Sequence, residues 1–488
     1  MLSSKIVRYT ILLFVSGLLS CQNTPQSQTE DPLQARVEHY LQLCAENGLS
    51  GAVLVAKEGK VLFSGGLGLR NRQDNLLVEE NTVFTTGSIT KQFTATAILK
   101  LEEEGLLSVN DSISQYFDNL PAEKQNITIH QLLTHTSGII GNLDYGQDFT
   151  PIAEDVFLQS VFEAPLDFEP GTQHSYANIG YSLLALIIER LSGQDYETYM
   201  QSLFAQAGME HTGYIMPDWE DNQMAHGYKC GEDWGTHLAR WQSDSNQISL
   251  HLKGNGGVLS TIPDLYKWYT ALTENSVISA LSFDRLTSPY VLESPDGDSH
   301  YAYGWAIFNS PRNTKMVTHN GSNGIFFADF LMLPEEEVVI IYMTNQLRYH
   351  TFAVAWELEK LIFEETYEPV VPQMNHRKLS IEELPNQRIE AIHKFTELIL
   401  NTDTTSLEID TEQFINIYLT NSNRKGRYQR FLQILRDKFA GYTLKHILEY
   451  DDLSYDIILE SPEGEVTHLI PCYDLQFDED NQIVAYGM

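Results

Sequence analysis

The chain has 488 residues, 42% of them hydrophobic, with 25 Tyr and 22 Phe. That is enough apolar material for a sizeable core, and more length than one domain usually takes. Lys and Arg number 31 against 66 Asp and Glu, a formal charge of −35 with no basic stripe, so phosphate backbones and anionic lipid surfaces are repelled and nucleic acid is not an expected partner.

At the N-terminus Lys5 and Arg8 precede the apolar run "TILLFVSGLLS", which ends at Cys21. The run is too short to span a bilayer and suits a signal peptide over residues 1–20. Its approach to Cys21 resembles the lipobox of bacterial lipoproteins. That resemblance implies acylation of Cys21 and an exported protein facing the periplasm or cell surface, touching the membrane only through its lipid. Residues 21–32 are polar and suited to a tether. Cys44, Cys230 and Cys472 are too few and too widely spaced for a disulfide framework or a C-x-x-C metal site. Cys44 shares a helical apolar face with Leu33, Val37 and Leu41, which points to core packing. No metal and no cofactor are expected.

Asp31-Pro32 can cap a first helix running to Gly48. "SGAVLVAK" and "KVLFSGG" read as strands joined by a tight turn at Glu58-Gly59. From Ser88 the period turns helical through Phe93, Ala97 and Leu101, stopping at Gly105, and "YSLLALIIERLSG" is a second apolar helix closing at Gly193. Three strand-like runs follow, "YAYGWAIF", "IFFADFLML" and "EEVVIIYMT", and then a closing helix, "FAVAWELEKLIF". Helix and strand at both ends of a mostly helical middle predict an α/β protein of the α+β kind, an antiparallel sheet packed by helices over residues 33–366. Prolines and lapsed periodicity mark a linker at 367–378. Beyond it, helices near 380–399 and 425–438 and strands such as "YTLKHILEY" and "SYDIILES" predict an α+β accessory domain over 379–488, with no catalytic constellation.

Three short motifs carry the chemistry. In "TTGSITKQF", Ser88 and Lys91 are three apart and share a helical face. A serine hydroxyl needs a base to become a nucleophile, and lysine serves when burial lowers its pKa. The same spacing in "SNRK", Ser422 to Lys425, lies in a polar stretch that would not desolvate a lysine. Ser88 at a helix start can also act as a cap. In "YAN", Tyr176 can relay protons and the Asn178 amide can hold a substrate carbonyl or the lysine. In "HNGS", a backbone N–H after Gly321 at a strand edge can meet an oxyanion, with His319 adding a polar or cationic group. The His-x-Gly pattern recurs at His211, and a Lys-x-Gly at Lys57, in less suitable places.

These three motifs in this order resemble the serine β-lactamase and penicillin-binding-protein superfamily, closest to its class C and carboxypeptidase/esterase branch. Connecting runs such as "ITIHQLLTHTSGI", "FEPGTQHSYANIGYSLL", "GNGGVLSTIPDLYKW" and "YAYGW" share the resemblance. It implies a β-lactamase/transpeptidase-like fold with a helical subdomain. Ser88 attacks a carbonyl while Lys91 and Tyr176 manage its proton, and the N–H groups of Ser88 and Ser322 form an oxyanion hole. Asn178, His319, Asn320 and Gly321 orient the substrate, and water, activated by Tyr176, releases the acyl group. Two departures bear on substrate: His319 stands where β-lactamases of this branch carry lysine, and Asn320 where threonine or serine is common. A peptidase of the D-alanyl-D-alanine carboxypeptidase kind or an esterase is therefore expected ahead of a β-lactamase, acting on a small peptide, amide or ester, with peptidoglycan a candidate source. The alternative from another class is a sensor that is acylated by penicillin or a wall peptide and turns over slowly.

Overall fold

The computed structural model describes residues 31–143, 148–229, 232–244, 247–295, 297–400, 439–451, 454–468, 475–477 and 483–485. Cys21, Cys230, Cys472, the Ser422–Lys425 pair and the helix expected near 425–438 lie outside the described residues.

Helix α1 (Pro32–Glu46) begins where Asp31 accepts from Leu33 N, with Pro32 opening the first turn. Val37, Leu41 and Cys44 on its inner face have no exposed surface, and that burial pushes the Cys44 thiol up to about 12. Strands β1 (Gly51–Lys57) and β2 (Lys60–Leu67) form the expected hairpin. Glu58 at φ 52° and Gly59 at φ 73° give its turn the twist of the flanking strands. Helix α2 (Thr90–Glu103) follows a single 3-10 turn, Gly87–Ile89. Ser88 lies inside that turn and no side chain caps α2, so the capping role expected of Ser88 is not taken up. Helix α3 (Asn178–Ser192) stops at Gly193, whose φ of 68° suits a glycine C-cap. Helix α4 (Ile262–Thr273) is capped by Thr261.

Six more strands complete the main sheet: β3 (Val291–Leu292), β4 (His300–Tyr301), β5 (Ala306–Asn309), β6 (Lys315–Ser322), β7 (Phe327–Leu333) and β8 (Val338–Thr344). The order is β2-β1-β8-β7-β6-β5-β4-β3, antiparallel throughout. The run expected as one strand in "YAYGWAIF" is two, broken at Gly304 (φ 75°). A Cβ there would lie 2.8 Å from both Gln92 N and Lys91 O, so the chain must turn without a side chain where it crosses α2.

Strands β7 and β8 are buried at every position, which explains apolar runs with no polar alternation. Ala328, Phe330, Ile341 and Met343 face the cluster containing Phe93 of α2 and Trp268 of α4. Phe327, Leu331, Ile340 and Tyr342 face the opposite cluster, with α1 and Leu358 of α5 (Val354–Phe363). The sheet thus has a helical-domain face and an α1/α5 face.

Residues 364–376 contain no helix or strand and run back along α1, where Tyr40 Oη donates to Val370 O at 3.2 Å and Met374 N to Asn47 O at 3.0 Å. A helix, Asn386–Leu400, and a second antiparallel sheet built on Thr443–Asp451 and Ser454–Glu460 follow. Asp456 of that sheet lies 3.4 Å from Arg348 at the end of the main sheet, both side chains largely buried. No helix among the described residues is long and apolar enough to cross a membrane.

Candidate active site

The site forms where the 3-10 turn before α2 meets the end of β6. Lys91 is one helical turn past Ser88, has no exposed surface, and its Nζ lies 3.0 Å from Ser88 Oγ and 2.7 Å from the Asn255 carbonyl. Asn255 is itself buried and fixed, its amide donating to Ser182 Oγ (2.9 Å) and His251 O (2.8 Å). Burial holds the Lys91 ammonium well below its ordinary 10.5. The neutral amine, which alone can accept the Ser88 proton, is thereby favoured.

The Tyr176 ring lies under Lys91, whose Nζ is 4.7 Å from the ring centroid, and the phenol lies beside Ser88. Burial raises the Tyr176 pKa well above its ordinary value, a push that the Ser88 contact only partly offsets. The phenol is therefore held protonated, fit to donate or relay a proton, and Lys91 is the better base. His135 fixes this motif from behind: its φ is 57°, its Nδ1 accepts from Ala177 N at 3.1 Å, and its ring centroid lies 4.3 Å from that of Tyr176.

Asn178 opens α3 at the cleft wall. Its Nδ2 donates to Asn142 Oδ1 at 2.9 Å, and its Oδ1 is buried without a partner. Its amide nitrogen carries a second hydrogen beside the one given to Asn142, so Asn178 offers both a donor and an acceptor at the cleft wall.

Past Thr318, β6 pairs only with β7, which leaves its other edge open toward the Ser88 turn. Two glycines allow the approach. A Cβ on Gly321 would stand 2.5 Å from Ser88 N, and one on Gly87 (φ 52°) would stand 2.6 Å from Ser322 N. The Ser88 and Ser322 amides therefore lie side by side at the mouth of the nucleophile, the arrangement an oxyanion hole requires.

His319 and Gly321 share the helical-domain face of β6, opposite Phe330 and Ala328. Asn320, opposite Asp329, alternates to the other face and is exposed. What Asn320 contributes here is its carbonyl, 2.6 Å from His319 Nδ1. That contact puts the ring hydrogen on Nδ1, so Nε2, 3.0 Å from Tyr301 Oη, accepts from the phenol. Burial, with Lys91 close by, pushes His319 down to about 3. His319 is a neutral member of the site, not the cation considered from sequence.

The cleft beside Ser88 has a volume of about 70 Å³ and is lined by Asp148, His237 and Asn323 as well as by Ser88, Asn178 and Ser322. No lysine or arginine is among the described residues that line it. Asn255, His135, Tyr301, Asp148 and His237 had no role in the sequence reading. Three of them sit in quoted runs, "GNGG", "HTSG" and "YAYGW", and those runs are the only signal that could have pointed to them.

A buried lysine on a serine hydroxyl, a protonated phenol beside it and two adjacent amides define a serine acyl-transfer site of the S-x-x-K type. A Beta-lactamase family profile matches residues 33–363, and the chain belongs to that family, within the serine β-lactamase and penicillin-binding-protein superfamily. It is 28% identical over 380 residues to Penicillin-binding protein 4* of Bacillus subtilis (strain 168), covering 74% of this chain and 82% of the relative. The crystal structure of a penicillin binding protein from Bacillus halodurans superposes with a TM-score of 0.55 at 29% identity, over 63% of this chain and 94% of that one. The octameric penicillin-binding protein homologue from Pyrococcus abyssi, at 23% identity, shares the fold over 90% of each chain, with a TM-score of 0.55.

Proposed function

We propose that this family member is an acyl-enzyme hydrolase that cleaves an amide or ester, as a D-peptidase of the carboxypeptidase kind or an esterase ahead of a β-lactamase. The observation that carries it is the fully buried Lys91 amine 3.0 Å from Ser88 Oγ. Lys91 takes the proton as Ser88 attacks, the Ser88 and Ser322 amides hold the oxyanion, and Tyr176 passes a proton to the leaving group. Water then attacks the acyl-Ser88 carbonyl on the same groups. The ranking against β-lactamase rests on charge. A carboxylate, on a β-lactam or on a C-terminal D-alanine, calls for a fixed cation, whereas His319 is neutral, Asn320 lies on the other face of β6, and no lysine or arginine lines the cleft among the described residues, which weighs against a β-lactamase and favours the esterase over the carboxypeptidase. We further propose that the protein is exported and lipid-anchored through Cys21, which places peptidoglycan fragments among its candidate substrates.

The test combines a fluorophosphonate label with a screen of D-alanyl-D-alanine peptides, D-amino acid amides and short esters. Ser88→Ala should lose both the label and turnover; full ester hydrolysis by that variant would refute the nucleophile. Intact mass after penicillin separates the competing class: a long-lived adduct on Ser88 identifies a slow sensor, and rapid return to native mass a hydrolase.

A further inference from the structure

We propose that the cavity between Arg72 and Arg348, where the ends of α1 and β8 meet the linking segment, is a binding site for a small organic carboxylate. It shares no lining residue with the Ser88 cleft, so it stands apart from the reading of Ser88 as the acylated residue.

Size and charge set this cavity apart. Its volume of about 380 Å³ exceeds the 70 Å³ of the Ser88 cleft and falls within the roughly 300–1,000 Å³ usual for small-ligand sites. Two arginines line it and no aspartate or glutamate does among the described residues, in a chain with 66 acidic residues to 31 basic ones. Arg348 is largely buried and pairs with Asp456 of the accessory sheet at 3.4 Å, so the site sits at the join of the two domains. Arg72 has no carboxylate within ion-pairing distance in the cavity; the acid that acts on it, Asp233, is engaged by His226 Nδ1 at 3.0 Å. Two guanidinium groups against one carboxylate leave a single positive charge. A second carboxylate neutralises it, whereas a phosphate dianion would overshoot.

The geometry holds the Arg72 fork ready. Its guanidinium carbon lies 4.0 Å from the Tyr228 ring centroid, and Nη2 donates to Gln346 Oε1. Gln346 is fixed in turn by Nε2 donating to Gly48 O at 2.7 Å. A planar group stacked and tethered in this way presents its remaining N–H groups to a carboxylate with little ordering left to do. Tyr228 Oη accepts from Arg72 N at 2.5 Å, which leaves the phenol hydrogen without an acceptor among the described residues. The exposed Asn375 amide, on the linking segment, makes no hydrogen bond among the described residues. The open groups are thus mostly donors, the complement of two carboxylate oxygens. Partial burial lowers the Arg72 pKa, and Arg348 adds to that against the pull of Tyr228; a bound anion would oppose both.

Isothermal titration of the full chain at fixed ionic strength, with succinamate, its neutral counterpart succinamide, and methyl phosphate, tests the site. Succinamate should bind about tenfold or more tightly than succinamide, the scale of one charge-assisted hydrogen bond, and more tightly than methyl phosphate. Arg72→Gln should erase the preference for succinamate over succinamide, and Ser88→Ala should retain it. Because Arg72 also supports Tyr228 and Gln346, a second variant keeps the test independent of folding. Asn375→Asp brings a like charge to the ligand from an exposed position, and should weaken succinamate about tenfold at an unchanged melting temperature. Equal binding of succinamate and succinamide, a preference that survives Arg72→Gln, or full affinity in Asn375→Asp overturns the site. Loss of the preference in Ser88→Ala would place the anion in the catalytic cleft and overturn it too, and tighter binding of methyl phosphate would overturn the carboxylate assignment.

Discussion

Lys91 carries an unusual burden for one side chain. It is fully buried, no carboxylate is among its contacts, and its partners are a hydroxyl, a carbonyl and two aromatic rings. Its pKa is depressed in the folded protein, so the unfolded chain binds more protons than the native one between the folded and unfolded values. Across that window the stability contributed by Lys91 rises with pH, and below it the lysine is a liability. Lys91→Met should therefore melt higher at neutral pH, by roughly 2–4 °C, while hydrolysis falls about a thousandfold for want of a base. In the native enzyme kcat/KM should fall on the acid side as Lys91 protonates, with a midpoint well under the ordinary 10.5. A midpoint near that ordinary value would mean the amine is not desolvated. Ser88, Lys91, Tyr176 and His319 were legible in sequence because few residue types can do their work and short motifs hold them together. Asn255 was not, because it acts through a carbonyl that every residue owns. Nor was the free Oδ1 of Asn178, which is decided by a commitment to Asn142, distant in the chain.

Where elements meet, the controlling feature is the crossing of β6 over the turn before α2. Gly321 is not in the left-handed region, so an alanine there costs nothing in φ. Its Cβ would instead strike Thr86 O and come within 2.5 Å of Ser88 N. Gly321→Ala should force the strand off the turn and lower kcat about a hundredfold, the scale of losing one oxyanion donor, with KM much less affected. Unchanged kcat would show that strand and turn do not jointly hold the oxyanion. The hairpin at Glu58-Gly59 and the runs forming β7 and β8 were readable because local turn chemistry and two-sided burial leave their mark in composition. The break at Gly304 was not, since the cause is backbone from α2, more than two hundred residues earlier in the chain.

At the scale of the whole molecule, the accessory domain is joined to the catalytic one by a segment lying along α1 and by the buried Arg348–Asp456 pair. Its role was not legible in the sequence, and the described part brings no side chain to the Ser88 cleft. The proposed anchor is tested by Cys21→Ser, which should move the protein from the membrane to the soluble fraction; continued sedimentation with membranes would refute lipid attachment at that residue. Helix α1 packs on the sheet face opposite Ser88. About ten residues separate Cys21 from Asp31, a reach of at most about 35 Å. On the proposed anchoring, so short a leash would set the α1 side toward the bilayer and turn the cleft outward, to sample solutes arriving from the aqueous side and not molecules still embedded in the leaflet.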